Sequence, residues 1–220
     1  MSSDIVTRRK GIGHGLAFVV SGPSGAGKNS VINRAMEGIP NLTYSVSYTT
    51  RPRREHEVDG VDYLFVSREE FTRRIESGDF VEHVTYLGDL YGTSKSQIDS
   101  VIARGLDVIL NIDVEGAKLV RRTGLGGHTV VYVFLVPSSL SRLEDRLRAR
   151  GTESDEQIVD RLEAATREME AIGVFDYLVI NDDLETAVTE LRAIITAARL
   201  RIAQQTKTAR RSSPCRPSAP

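Results

Sequence analysis

At 220 residues the chain is long enough to bury one substantial core, with inserted lobes rather than separate folding units. Its 40% hydrophobic and 27% charged residues suit a globular protein, and no apolar run approaches the roughly 18 residues that span a bilayer, which excludes a membrane protein. The net charge of −1 gives no general reason to expect nucleic acid.

Residues 1–14 carry charge but no apolar stretch of the kind an exported chain needs, and are expected to form a loose, flexible extension. Leu16 to Val20 is the first of four short apolar runs expected as buried parallel strands; the others are Asp107 to Ile112, Thr129 to Val136 and Tyr177 to Ile180. After the first comes the glycine-rich stretch GPSGAGKNS, residues 22–30, and then a helical segment, Val31 to Glu37. Residues 45–96 mix short β-rich runs with turns and one helix, Arg68 to Ser77, ended by Gly78, which makes a small inserted lobe. Residues 137–168 are almost all helix formers and charges, the pattern of an exposed helical flap laced by ion pairs. Leu184, Ala187, Val188, Leu191, Ile194, Ile195 and Ala198 form an apolar stripe at helical spacing, with Asn181-Asp182 offering a cap. Strands alternating with helices predict an α/β fold: an open parallel sheet flanked by helices.

The tail, residues 206–220, holds Lys207, Arg210, Arg211 and Arg216 with no acid and no apolar periodicity, so disorder is expected. It also contains the one cysteine, Cys215, which rules out an internal disulfide and suits a reducing cytoplasm. His14, His56, His83 and His128 lack zinc-type spacing, and no metal is assigned through them.

Residues 22–30 nearly match the phosphate-cradling pattern G-x-x-x-x-G-K-[ST], with Gly22, Gly27 and Lys28 in register. A strand, a glycine-rich turn and a helix opening at a lysine let backbone N–H groups and the positive helix end converge on phosphates, which Lys28 then neutralises. Gly22, Pro23, Ser24, Gly25, Ala26, Gly27, Lys28, Asn29 and Ser30 are therefore the candidate triphosphate site. Asn29 stands where a hydroxyl usually helps to hold Mg²⁺; its amide oxygen or the adjacent Ser30 could serve instead.

The motifs SGPSGAGK, SVSYTTR, GVDYLF, FVEH, LYGTS, IDVEGA, RGTES and VINDDLETA occur in an order and spacing that resemble guanylate kinase, a nucleoside monophosphate kinase family of P-loop proteins, over about Leu16 to Arg199. The resemblance implies a five-stranded core (15–44, 97–136 and 169–205), a GMP-binding lobe (45–96) and a lid (137–168) within one domain, 15–205. It implies transfer of the γ-phosphoryl group of ATP to GMP with Mg²⁺, in the cytoplasm, and small nucleotides as partners rather than nucleic acid or membrane; a homo-oligomer is compatible with it.

It also implies residue roles. Arg51 and Arg54 offer forks to the GMP phosphate, Tyr63 and Tyr91 donate hydroxyls to it, and Ser47 lies beside them; the ordinary alternative for the tyrosines is packing in the lobe. Glu82 matches the carboxylate that accepts guanine N1–H and the 2-amino group, with Thr93 donating on the O6 side. Arg150 and Arg161 resemble lid arginines that join Lys28 in catalysis, whereas Arg142, Arg146, Arg148 and Arg167 are expected in surface ion pairs. Asp113, at a strand's carboxyl edge, is expected near the metal or the GMP, and Asn181 either on the adenine side or as a helix cap.

Three departures accompany the resemblance: Asn29; Asn111, where many relatives carry an acid; and TTRPRREHE, with Pro52 one place early and His56 before Glu57 in place of glycine. Two other functions remain in view: a non-catalytic scaffold of the same fold, which needs no Lys28, Glu82 and lid arginines together, and a kinase for another phosphorylated acceptor such as a ribose bisphosphate, which needs no Glu82–Thr93 pair.

Overall fold

The structure is a computed structural model that describes residues 15–86, 88–151 and 154–201. The expected N-terminal extension, Thr152 and Glu153 of the RGTES motif, and the basic tail with Cys215 lie outside the described residues.

In chain order the elements are β1 (Ala17–Ser21), α1 (Lys28–Met36), β2 (Leu42–Tyr44), β3 (Tyr48–Thr49), β4 (Leu64–Phe65), α2 (Arg68–Glu76), β5 (Phe80–Tyr86), β6 (Asp89–Ser94), α3 (Lys95–Ala103), β7 (Asp107–Asn111), α4 (Val114–Thr123), β8 (Val130–Val136), α5 (Leu140–Arg150), α6 (Asp155–Met169), a 3-10 turn (Glu170–Val174), β9 (Tyr177–Ile180) and α7 (Leu184–Leu200). Five strands form a sheet in the order β2-β7-β1-β8-β9, with every neighbouring pair parallel. All four apolar runs are strands of it. The fifth, β2, is a short, half-buried edge strand whose three residues carry no periodic signal.

Alternation along β1 explains the layering. Phe18 and Val20 point to one face, where they join Ile32 of α1 and Leu191 and Ile195 of α7; Ala17 and Val19 point to the other, against Ile98 and Ile102 of α3 and Val120 of α4. Burying a side chain the size of Phe18 contributes about 1.5–3 kcal/mol. The stripe on α7 is thus the face laid on the sheet. Its cap is Asp183, whose side chain accepts from Thr186 N at 2.8 Å, and not Asn181-Asp182 as the sequence suggests.

Inserted between β2 and α3 is a second, mixed sheet of order β4-β3-β6-β5. The helix expected at Arg68 to Ser77 lies here as α2, begun by Ser67, which accepts from Glu70 N. The stretch of helix formers folds as α5 and α6, which pack through Leu143, Leu147, Ile158 and Ala165; a Ser154–Gln157 capping box starts α6.

Asp107 staples the base of the sheet to α7. One carboxylate oxygen accepts Leu16 N at 2.7 Å, and the other accepts Arg199 Nε at 2.6 Å; Arg199 also donates to Pro40 O at 2.9 Å. The carboxylate is buried. Asp107→Ala leaves a backbone N–H and a guanidinium without their partner, and stability is expected to fall by about 3 kcal/mol, read as a lower urea midpoint at unchanged slope. Asp107→Asn, which can keep the Leu16 bond, is expected to lose less.

Candidate active site

The loop between β1 and α1 wraps the mouth of α1. Gly27 caps the helix in the left-handed region, φ 88°, with no side chain bonded to the first-turn amides and no acid in that turn. A Cβ at residue 27 would lie 2.5 Å from the Asn181 amide nitrogen, so both conformation and space demand glycine. The open amides make an anion site of the helix mouth. Lys28 is folded back over the loop, its ammonium donating to the carbonyls of Gly22 and, at 3.1 Å, Pro23. Burial pushes it down to about 8, against the opposing pull of the Glu168 and Asp113 carboxylates. A cation held by two carbonyls and desolvated to this degree is strongly stabilised by an arriving polyphosphate.

Three long-range contacts converge on the same loop. Asn181 is buried and donates to Ala26 O at 2.7 Å, which places it at the cradle rather than at the helix cap. Arg161, from α6, donates to Ser24 Oγ at 2.8 Å. Arg146, from α5, donates to Ala26 O at 3.2 Å and to Asn181 O. The surface ion pair expected of Arg146 is therefore corrected: its guanidinium is part-buried on backbone carbonyls and ties the lid to the cradle. Its neighbours do form surface pairs, Arg142 with Asp182, Arg148 with Glu144 and Asp155, and Arg167 with Glu163. Arg150 ends α5, and its side chain lies outside the described residues.

In the second sheet, β5 and β6 pair antiparallel with Glu82 opposite Thr93, and the register shifts between Phe80 and Glu82. A bulge of this kind re-aims a side chain; here Glu82 turns inward and is 7% exposed. Thr93 Oγ1 donates to Glu82 Oε1 at 2.5 Å. In this arrangement Thr93 orients the carboxylate, whereas the sequence suggests a donor for the base. Burial raises Glu82 to about 7, opposed by the Thr93 bond and reinforced by the charge of Asp113. Asp113 caps α4, accepting Gly116 N at 2.6 Å. A Cβ at residue 116 would meet Asp113 Oδ1 at 3.1 Å and Glu82 Oε2 at 3.2 Å, so the glycine of IDVEGA gives the two carboxylates room.

Beside Glu82 lies a basic and aromatic group. Arg51 makes a two-pronged pair with Glu57, at 2.7 and 3.1 Å, and its guanidinium sits 5.5 Å from the Tyr63 ring centre. Tyr63 and Tyr91 meet edge to face at 5.8 Å, and the Tyr91 hydroxyl interacts with Arg51. Glu57 also accepts Arg54 N at 2.8 Å, and the Arg51 bond holds its carboxyl down at about 2. Arg54 itself is exposed. Ser47 is half-buried at the start of this sheet, its carbonyl accepting Leu64 N at 2.9 Å.

Four functional candidates escape the sequence. Glu57 has a local signal, an acid six residues after Arg51. Gly116 has a weak one, a glycine in the first turn of a helix. Arg146 and Glu168 have none, each being one charge among many in the lid. The Glu168 carboxyl is half-buried in the last turn of α6, and burial raises its pKa while Lys28 pulls it down.

This chain matches a guanylate kinase family model over residues 15–198. It is 46% identical to a guanylate kinase of Carboxydothermus hydrogenoformans over 187 residues, covering 85% of this chain and 90% of the relative. It is 46% identical to another from Symbiobacterium thermophilum, covering 85% and 87%. A crystal structure of guanylate kinase from Anaplasma phagocytophilum superposes with a TM-score of 0.70 at 31% identity, over 87% of this chain and 90% of that one. Agreement of this extent, running through cradle, lobe and lid alike, shows that the chain belongs to the guanylate kinase family.

Proposed function

We propose that this guanylate kinase, an ATP:GMP phosphotransferase, reads guanine with Glu82, grips the GMP phosphate with Arg51, Arg54, Tyr63 and Tyr91 beside Ser47, and cradles the ATP phosphates with residues 22–30. The observation that carries the reading is the buried Glu82 carboxylate held by Thr93. Two oxygens of one carboxylate match guanine's adjacent N1–H and 2-amino donors, whereas adenine presents an acceptor at N1 and no 2-amino group. Rejection of the wrong base then reaches roughly 10⁴–10⁵, because a buried carboxylate is left unpaired.

No side chain need bond covalently to phosphorus. The phosphoryl group passes in line between two bound nucleotides, so orientation and charge neutralisation supply the acceleration. Lys28 serves the donor phosphates; Arg161, already on Ser24, and Arg150 join it from the lid, and Arg146 and Asn181 hold the lid and the adenine side to the cradle. Membership of the guanylate kinase family implies Mg-ATP as the phosphoryl donor. The residues here fit that ion: Asn29, Ser30 and the nearby Asp113 offer hard oxygens at the helix mouth, and Asn29 or Ser30 would hold it. Bound there, Mg²⁺ would screen the phosphate oxygens. Among the described residues no helix is long and apolar enough to cross a membrane.

Coupled turnover assays with GMP, AMP, CMP and UMP test the reading. GMP alone is expected to turn over efficiently. Comparable rates with AMP would defeat base recognition by Glu82, and a pentose phosphate acceptor outpacing GMP would point to the other kinase. No turnover with any acceptor would favour the scaffold. Acidity adds a second signature. Glu82 must be ionised to accept two N–H donors, and with a pKa of about 7 it loses most of its charge between pH 8 and pH 6. KM for GMP is therefore expected to rise about tenfold over that range. KM for ATP is not, since acidification favours the cationic form of Lys28.

A further inference from the structure

Two of the residues that depart from the family resemblance form one structural unit. Asn29 lies in the first turn of α1, where such loops carry a hydroxyl, and Asn111 ends β7. Although 82 positions apart, they touch: Asn111 Nδ2 is 2.5 Å from Asn29 Oδ1. The same nitrogen is 3.3 Å from the Tyr44 hydroxyl at the end of β2. An amide nitrogen carries two hydrogens, so both are directed, one to Asn29 and one to the phenol. Tyr44 is largely shielded, and burial raises its pKa, which keeps the hydroxyl neutral. One amide thereby ties three elements together at the carboxyl edge of the sheet, beside the cradle.

Asn29 Oδ1 has two lone pairs, and Asn111 engages one of them. The other remains available on a hard, neutral oxygen of the type that divalent cations accept. Left alone, an exposed asparagine on a helix turn samples several rotamers and presents oxygen or NH₂ alike; the bond from Asn111 selects the oxygen-inward orientation. A neutral residue at 111 also adds no anion beside Asp113, which already raises Glu82 and Glu168.

We propose that Asn111 is a positioning residue: it fixes the Asn29 amide, and the pair replaces the P-loop hydroxyl as the oxygen offered to the divalent cation of the donor nucleotide. This rests on residues 22–30 being the donor cradle.

The test is calorimetric binding of a non-hydrolysable ATP analogue to the full chain, with and without Mg²⁺. Its readout is the dissociation constant without Mg²⁺ divided by that with Mg²⁺, with no turnover involved. Asn29→Ala and Asn111→Ala are each expected to lower that ratio by roughly tenfold, as loss of an orienting partner does at other metal sites. The double alanine variant is expected to fall no further, because the two amides act as one unit. Asn29→Ser combined with Asn111→Ala is expected to keep the wild-type ratio, since a hydroxyl needs no amide to orient it. A wild-type ratio in Asn111→Ala overturns the proposal, as does a double variant whose loss is the product of the singles. So does an Asn29→Ser, Asn111→Ala protein as weak as Asn111→Ala alone, which would mean that Asn111 acts through the fold. If the wild-type chain binds the analogue neither with nor without Mg²⁺, the cradle reading falls and the proposal with it.

Discussion

Replacing Glu82 by alanine is expected to collapse the preference for GMP over AMP from roughly 10⁴–10⁵ to within about tenfold, almost wholly through loss of kcat/KM for GMP. The loss is so large because no other carboxylate can take the role. Asp113 is the nearest candidate, but it caps α4 through Gly116 N. Thr93, whose hydroxyl bonds Glu82 at 2.5 Å, is left with no acid to orient. Stability is not expected to fall in parallel, since a carboxylate that burial holds at about 7 is itself unfavourable in the empty site above that pH. KM for ATP serves as the control and should stay within about twofold, and the dependence of GMP KM on acidity should vanish. Base selectivity unchanged in Glu82→Ala would show that guanine is read elsewhere.

The second large effect is at Lys28. Its ammonium lies on the carbonyls of Gly22 and Pro23, away from bulk water, where a positive charge interacts strongly with phosphate oxygens as their charge redistributes. Lys28→Ala is expected to lower kcat by at least about 10²–10³ at saturating ATP and GMP, the scale of removing one pre-placed charge stabiliser. Lys28→Arg should recover little, because a planar fork does not fit where a compact ammonium sits between two carbonyls. GMP affinity should survive both changes, as the residues proposed to recognise the acceptor lie in and beside the second sheet. A near-normal kcat in Lys28→Ala would mean that the loop does not serve the transferred phosphate.

Gly116 shows how tightly the acceptor site is built. A methyl group there would press on Asp113 and Glu82 at 3.1 and 3.2 Å, so the first turn of α4 helps to set where the Glu82 carboxylate stands. Glu57 does the same for Arg51, holding the guanidinium in a fork that, on the proposed reading, a GMP phosphate would share or displace.

Local features decided themselves from neighbouring residues. The run Ala17–Val20 is apolar on both sides because a central parallel strand is covered on both faces. The cradle's shape follows from Gly27 and a helix opening without an acid, and the bounds of α2 from its serine cap and the glycine after it. Such features depend on a few consecutive residues, so their letters suffice. Which charges meet does not. Arg146 and Arg148 stand two positions apart on one helix and so face nearly opposite ways. Only the packing of Leu143 and Leu147 against α6 turns Arg146 onto the cradle and leaves Arg148 to Glu144 and Asp155. Asn29 and Asn111 read as separate oddities until the parallel register of β1 and β7 brings them together. Likewise, only the pairing of β5 with β6, and the shift within it, sets Glu82 beside Thr93. The sequence by itself determined the fold class, the cradle and the family. The tertiary structure decided which polar groups are partners, because partnership depends on helix rotation and strand register, and these are fixed by the burial of apolar residues far away in the chain.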